Sequence, residues 1–411
     1  MKKYQTTILL VVLTYISFIS LGLPDGLLGV AWPSIRTFFN LPLDALGALL
    51  VMFTTGYLLS SSSSGRILAR LNVGLLLALS CLATAVSLLG YALTPSWWIM
   101  VALGLLSGLG AGAIDAGLNT YAATHFSARS VNWLHACYGI GATIGPFIMT
   151  SVLTAHHPWQ RGYVIVGLAQ LALAMCFGVT SKLWANNSSE AELAQNDHSK
   201  SASSVRASPT SPTLTGTLRL PAVWLSIAVF FVYTGIEAAA GTWAYSLFTE
   251  GRGVPMMIAG TWVSVYWGCL TAGRLLSGFT INFVPVRLLL RYCIVSIALG
   301  AGMIWLNITS IISFIGLALM GLASAPIFPS MIATTPERLG EAHTANVVGF
   351  RIAAAVRGAS LLPSLSGVLA DSFGLEIVAP TLLMAALLLL AIYEMLTATS
   401  PKVVREARAM A

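Results

Sequence analysis

Twelve apolar runs, each about twenty residues or longer, recur through both halves of this chain, and they restrict it to a lipid environment. A run of that length crosses a bilayer core of about 30 Å as a helix, because lipid leaves every backbone N–H and C=O to be satisfied within the segment. The runs read as spans at 7–31, 43–64, 73–93, 97–122, 132–155, 161–183, 221–248, 256–281, 287–307, 310–333, 344–370 and 377–399. Only 9% of residues are charged, against roughly 25% in a soluble domain. Met1-Lys-Lys opens the chain as a signal peptide would, but the apolar run that follows is too long and no small-residue cleavage site succeeds it. It is expected to stay as the first span.

The basic residues sort by membrane side. With the N-terminus inside, sixteen of the twenty-one Lys and Arg fall on inner segments, Arg36, Arg161 and Arg252 fall outside, and Arg351 and Arg357 lie within a span. This bias predicts a multi-pass protein of a bacterial inner membrane with both termini cytoplasmic. It also explains the net charge of +7 without a nucleic-acid partner. Residues 184–220 are polar and rich in Ser, Thr and Pro, which reads as a disordered cytoplasmic linker. The expected plan is all-α, with a six-helix bundle over 1–183 and another over 221–411. Internal echoes support duplication: Gly65-Arg66-Ile-Leu after the second run resembles Gly273-Arg274-Leu-Leu near the end of the eighth. Duplicated halves are the arrangement in which carriers bind solute near mid-membrane.

Three acids lie within spans: Asp25, Asp115 and Glu237. An ionisable group in such a segment is a functional candidate by default, since burying its charge costs at least about 2.5 kcal/mol. On a helix, Gly104, Gly108, Gly112, Asp115 and Asn119 share one stripe, so this carboxylate faces protein or water across a surface that admits close helix contact. Asp25 stands between Pro24 and Gly26, which weaken the helix; it is either a buried coupling group or a solvated acid at the outer end of the first span. Tyr233 precedes Glu237 by one turn, a pair suited to a hydroxylated solute or to a purely structural bond. Arg351 and Arg357 need partners or water, and at six residues apart they cannot both face one cavity. His135 and Tyr138 place polar groups on a glycine-rich fifth helix, and Trp243 lies deep enough to stack on a sugar or simply to pack.

The motifs Leu21-Gly-Leu-Pro-Asp25-Gly, Gly108-x-Gly-x-Gly-x-x-Asp115-x-x-x-Asn119, Asn132-x-x-His135-x-x-Tyr138-Gly and Tyr233-x-Gly-x-Glu237 resemble those of the major facilitator superfamily, most of all its fucose:proton symporter-like branch. The resemblance covers nearly the whole chain. It implies an alternating-access carrier, usually proton-coupled, with sugars or similar solutes as substrates. On that resemblance Asp25 would be the group whose protonation permits rearrangement, and Asp115 would couple protonation to solute binding. Asn119, His135, Tyr138, Tyr233, Trp243, Arg351 and Arg357 become solute-binding candidates, and Gly65, Arg66, Arg70, Gly273 and Arg274 gating candidates. The sequence departs from the family at Ala69, where an aspartate is usual, and at Arg351 and Arg357, usually glutamine and glycine. Those arginines tilt the expected solute towards one bearing a carboxylate or phosphate.

Gly141-x-x-x-Gly145-Pro146 resembles part of a drug-antiporter motif, which makes proton-driven efflux an alternative. A membrane receptor on the same fold is another. The five cysteines are scattered, and no metal-ligand, nucleophile–base or nucleotide-binding motif is present, so an enzyme, a metal and a cofactor are not expected. The coupling ion is expected to be the proton, with sodium as the other candidate. The expected partners are a small solute and the bilayer, and each chain is expected to be a complete monomeric carrier.

Overall fold

A computed structural model describes the backbone of residues 2–68, 70–125, 128–201, 214–280 and 284–410, and side chains of residues 8–64, 66–67, 70–122, 133–134, 136–184, 214–276, 284–338 and 340–399. Nearly all of it is helix. Eleven segments are long and apolar enough to cross a membrane, and the helix Met256–Thr280, at 25 residues, supplies the length for a twelfth. The first unit carries α1 (Lys2–Phe39), α2 (Leu46–Leu68), α3 (Val73–Leu93), α4 (Trp97–His125), α5 (Ala128–Thr154) and α6 (Gln160–Ser201). The second carries α7 (Leu214–Leu218), α8 (Pro221–Ser246), α9 (Met256–Thr280), α10 (Val286–Leu306), α11 (Ser310–Ser324), α12 (Ile327–Ala333), α13 (Thr335–Leu339), α14 (Thr344–Phe373) and α15 (Val378–Met410).

Local chemistry sets the boundaries. The Asn72 side chain accepts from Leu75 N at 2.8 Å and Thr309 from Ile312 N at 3.2 Å, capping α3 and α11, while Pro221 opens α8 where no amide proton is needed. The tenth run spans Ser310–Ala333 as expected, built from two helices because Pro326 cannot continue α11 and α12 begins after it. Two expectations need correction. The helix of the sixth run continues to Ser201, through Glu190-Ala-Glu-Leu-Ala-Gln, where composition predicts a linker; those are strong helix formers. The unit boundaries also differ: Met1–Asn40 with Ala48–Ala207 form the first unit, whereas Leu41–Gly47 group with Ser208–Ala411, where Leu43 N donates to Asp371 Oδ1 at 2.9 Å.

Both units use the same packing scheme. In the first, α1 lies against α5 and α3 against α4 and α6; in the second, α8 lies against α14 and α10 against α11 and α15. Glycines allow the closest crossings. A Cβ on Gly141 would sit 1.9 Å from Ile19 O across α5–α1, and one on Gly358 would sit 2.0 Å from Phe231 O at the equivalent α14–α8 crossing. The α4–α2 and α11–α9 crossings match likewise, with Gly108 against Phe53 O at 1.9 Å and Gly321 against Tyr266 O at 2.3 Å. Small residues at such crossings let backbones meet where lipid gives no hydrophobic driving force between helices. The equivalent pairings extend the weak internal echoes of the sequence to the level of helix contacts.

Candidate functional site

The glycine stripe of α4 packs on α2 and carries Asp115 onto the same face. Gly112 meets Tyr57 O, where a Cβ would approach to 2.4 Å, and one turn further the Tyr57 hydroxyl donates to Asp115 Oδ2 at 2.5 Å. Asn119 Nδ2, one turn on in the same helix, donates to Oδ1 at 3.0 Å. Each carboxylate oxygen of Asp115 therefore accepts a bond from a neutral side chain, and the acid is only partly buried. Asp25 has a parallel arrangement: Tyr138, held against α1 by the α5 crossing, donates to Asp25 Oδ2 at 2.6 Å. Asp25 keeps exposed surface. It also lines a small recess with Leu21, Pro24, Phe53, Ala111 and Ile114 that reaches towards α4, and it lies within electrostatic reach of Tyr57. The two acids of the first unit are thus both tyrosine-bonded. Tyr138, expected to bind solute, is an Asp25 partner here.

Glu237 differs. Tyr233, 1% exposed, donates to Glu237 Oε2 and approaches Ser324 O at 3.1 Å, while Arg274 Nη2 lies 3.4 Å from Glu237 Oε1. Arg274, a gating candidate by its motif, lies instead on α9 and supplies the counter-charge for Glu237. Gly273 beside it packs on the end of α11, where a Cβ would meet Leu322 O at 2.9 Å and, just past the helix, Ala325 Cβ at 2.6 Å. A partly buried acid that loses its cation is destabilising, by about 1 to 3 kcal/mol. Arg274→Gln is therefore expected to lower thermal stability and Arg274→Gln with Glu237→Gln to regain most of it, which a double-mutant cycle of unfolding midpoints measures; additive losses would contradict the pairing.

The arginines of α14 diverge, as their spacing requires. Arg351 is fully buried: Nε donates to Ser226 Oγ, Nη1 donates to Met331 O at 2.8 Å and Thr335 Oγ1 at 2.6 Å, and the guanidinium lies over the Phe230 ring at 5.2 Å. These are neutral acceptors within the second unit. Arg357 is exposed and donates to Ala353 O of its own helix at 3.2 Å. Trp243 is also enclosed, its Nε1 donating to Pro363 O at 2.8 Å. Arg351 and Trp243 thus correct the solute-binding expectation, since neither presents surface to a solute in this structure. A charged hydrogen bond to solute is worth roughly 1.5 to 3 kcal/mol, tenfold or more in affinity. Arg351→Met is expected to change solute affinity less than about threefold, measured by ligand-induced thermal shift; a tenfold loss would restore a direct role.

Arg66 and Arg70 are exposed at and just beyond the C-terminal end of α2. The side chains of His135 and Gly65 lie outside the described residues. Sequence reasoning missed Tyr57, whose spacing one turn after Phe53 gave no signal of a partner across the bundle, and Gln170, an amide in the apolar middle of the sixth run.

Comparison with known proteins agrees with this architecture. The sequence model of the Major Facilitator Superfamily matches residues 14–355. The chain is 24% identical over 393 residues to a human sodium-dependent glucose transporter 1, covering 87% of this chain and 73% of that protein. It is 22% identical over 369 residues to a glucose/mannose transporter of Bacillus subtilis, covering 86% of each. The crystal structure of a D-xylose-proton symporter superposes with a TM-score of 0.70 at 14% identity, over 92% of this chain and 96% of that one.

Proposed function

This chain belongs to the major facilitator superfamily, and from that premise we propose that it is a proton-coupled carrier of a small neutral polyhydroxylated solute of the sugar class, working by alternating access. The observation that carries the reading is the pair of tyrosine-bonded carboxylates in the first unit, Asp25 with Tyr138 and Asp115 with Tyr57. A carboxylate bonded to a neutral hydroxyl keeps a partner whether it is ionised or protonated, because a hydroxyl both donates and accepts. Glu237, facing Arg274, serves the second unit as an ion pair.

The sugar class is supported by the named solutes of the two relatives and of the xylose symporter. The neutral solute is supported by the burial of Arg351 among uncharged partners, which takes away one of the two arginines behind the expectation of an anion and leaves exposed Arg357 as the other. Efflux remains the alternative, and Gly141 and Gly145 of its motif pack against α1. Ligand-induced thermal shift of the purified protein across hexoses, pentoses, sugar acids, sugar phosphates and lipophilic cations tests the class. Stabilisation by neutral sugars is expected. Stabilisation by lipophilic cations alone would replace this reading with efflux, and sugar binding without transmembrane flux would replace it with a receptor.

A further inference from the structure

Pro24 lies inside α1, and its ring nitrogen carries no proton, so the carbonyl of Ser20 one turn back loses the bond a regular helix would give it. Gln170 replaces that bond from α6: its Nε2 donates to Ser20 O at 2.7 Å, and the side chain is 1% exposed. The other end of the same amide is unmatched. Gln170 Oε1 is buried without a hydrogen-bond partner among the described residues. Gln170 and Asp25 line one cavity of about 10 Å³ with Pro24, Thr84 and Ser107. That is room for a single water, and a buried site holds a water where two or more polar groups converge on it. A buried acceptor left unmatched is costly, so this oxygen calls for a donor.

We propose that the cavity holds one water linking Gln170 Oε1 to the Asp25 carboxyl, and that Gln170 is a positioning residue for the protonation of Asp25. The inference rests on the transport reading above and deepens it to the coupling step. With Asp25 ionised, the water donates one hydrogen to the carboxylate and the other to Gln170 Oε1, while Tyr138 donates to Oδ2. When a proton arrives from solution at the exposed edge of Asp25, the new carboxylic acid donates to the water oxygen, and the water still donates to Gln170. The bond between water and carboxyl reverses direction, and the water hydrogen that Asp25 had accepted is released. Asp25 and Gln170 Oε1 each keep a partner in both states. Among the described residues, the titratable groups that face Asp25 are Tyr138 from α5 and Tyr57 from α2, the latter bonded to Asp115 of α4; α3 and α6 present the neutral Thr84 and Gln170.

Pro24 makes the two roles of Gln170 separable. Gln170→Met keeps side-chain length but removes both the cap and the acceptor. Adding Pro24→Ala returns an amide proton to Ser20 O, so the double variant lacks only the acceptor; Pro24→Ala alone is its reference. The readouts are the unfolding midpoint, sugar-driven proton uptake in proteoliposomes, and the protonated-carboxyl band that Asp25→Asn deletes from pH-difference infrared spectra. We expect Gln170→Met to unfold at lower temperature and the double variant to recover. Uptake should stay at least tenfold below the reference in both, with the carboxyl band displaced to higher frequency as its hydrogen bond is lost. Recovery of uptake and band position in the double variant would reduce Gln170 to a helix cap and overturn the proposal, as would an unmoved band in either Met variant. Should the parent bind no sugar by thermal shift, the transport reading fails, while the infrared band still decides the water.

Discussion

Asp115→Asn is expected to keep its fold and its solute exchange while concentrative uptake falls by two orders of magnitude or more. Asparagine matches aspartate in shape, and its amide oxygen can still accept from Tyr57 or Asn119, so the α2–α4 contact survives. What it loses is the capacity to bind and release a proton. A hundredfold loss corresponds to about 2.7 kcal/mol of coupling. Counterflow of labelled sugar, which needs no gradient, should remain within about threefold of the parent, whereas uptake driven by an imposed pH difference should fall to background. If both collapse together, Asp115 is a structural carboxylate and the resemblance to the symporter branch misassigns it.

Gly108→Leu is expected to leave no folded first unit. A Cβ at this position would lie 1.9 Å from Phe53 O, and that oxygen belongs to a helix backbone, which cannot rotate out of the way as a side chain can. Ordinary overpacking costs about 1 to 3 kcal/mol, and here the whole α2–α4 crossing must open for a branched side chain. The displacement would also part Tyr57 from Asp115, so Gly108→Ala, the milder change, should lower both the unfolding midpoint and uptake. Gly302, whose Cβ would meet nothing within 4 Å, provides the control: Gly302→Ala should leave the midpoint within a degree or two of the parent. Similar losses at both positions would contradict the packing argument.

Apolar run length was enough to read the helices and most of their boundaries, since a membrane span is a one-dimensional property of the chain. The α4 stripe was legible for the same reason: helical period alone puts Gly108, Gly112 and Asp115 on one face, and that face does meet α2. Partners across the bundle were not legible. Tyr57 and Gln170 act through contacts with other helices, and a single sequence carries no record of which helix faces which. Arg351 shows the limit most clearly, because an arginine in an apolar run reads as a ligand or a counter-ion, yet carbonyl, hydroxyl and aromatic groups from α8, α12 and α13 enclose it. The proline-induced gap at Ser20 was implicit in Pro24, but its filling by α6 depended on the fold.

The central claim, that a neutral sugar and a proton move together through this chain, is tested most directly in proteoliposomes that report sugar and proton entry in the same vesicles, without an imposed pH gradient and at matched sodium. The account predicts that inward-directed sugar acidifies the lumen, that the proton signal saturates with the sugar flux, and that Asp25→Asn and Asp115→Asn abolish the proton signal. Sugar entry without any proton movement, or entry that requires sodium and ignores both substitutions, would contradict it.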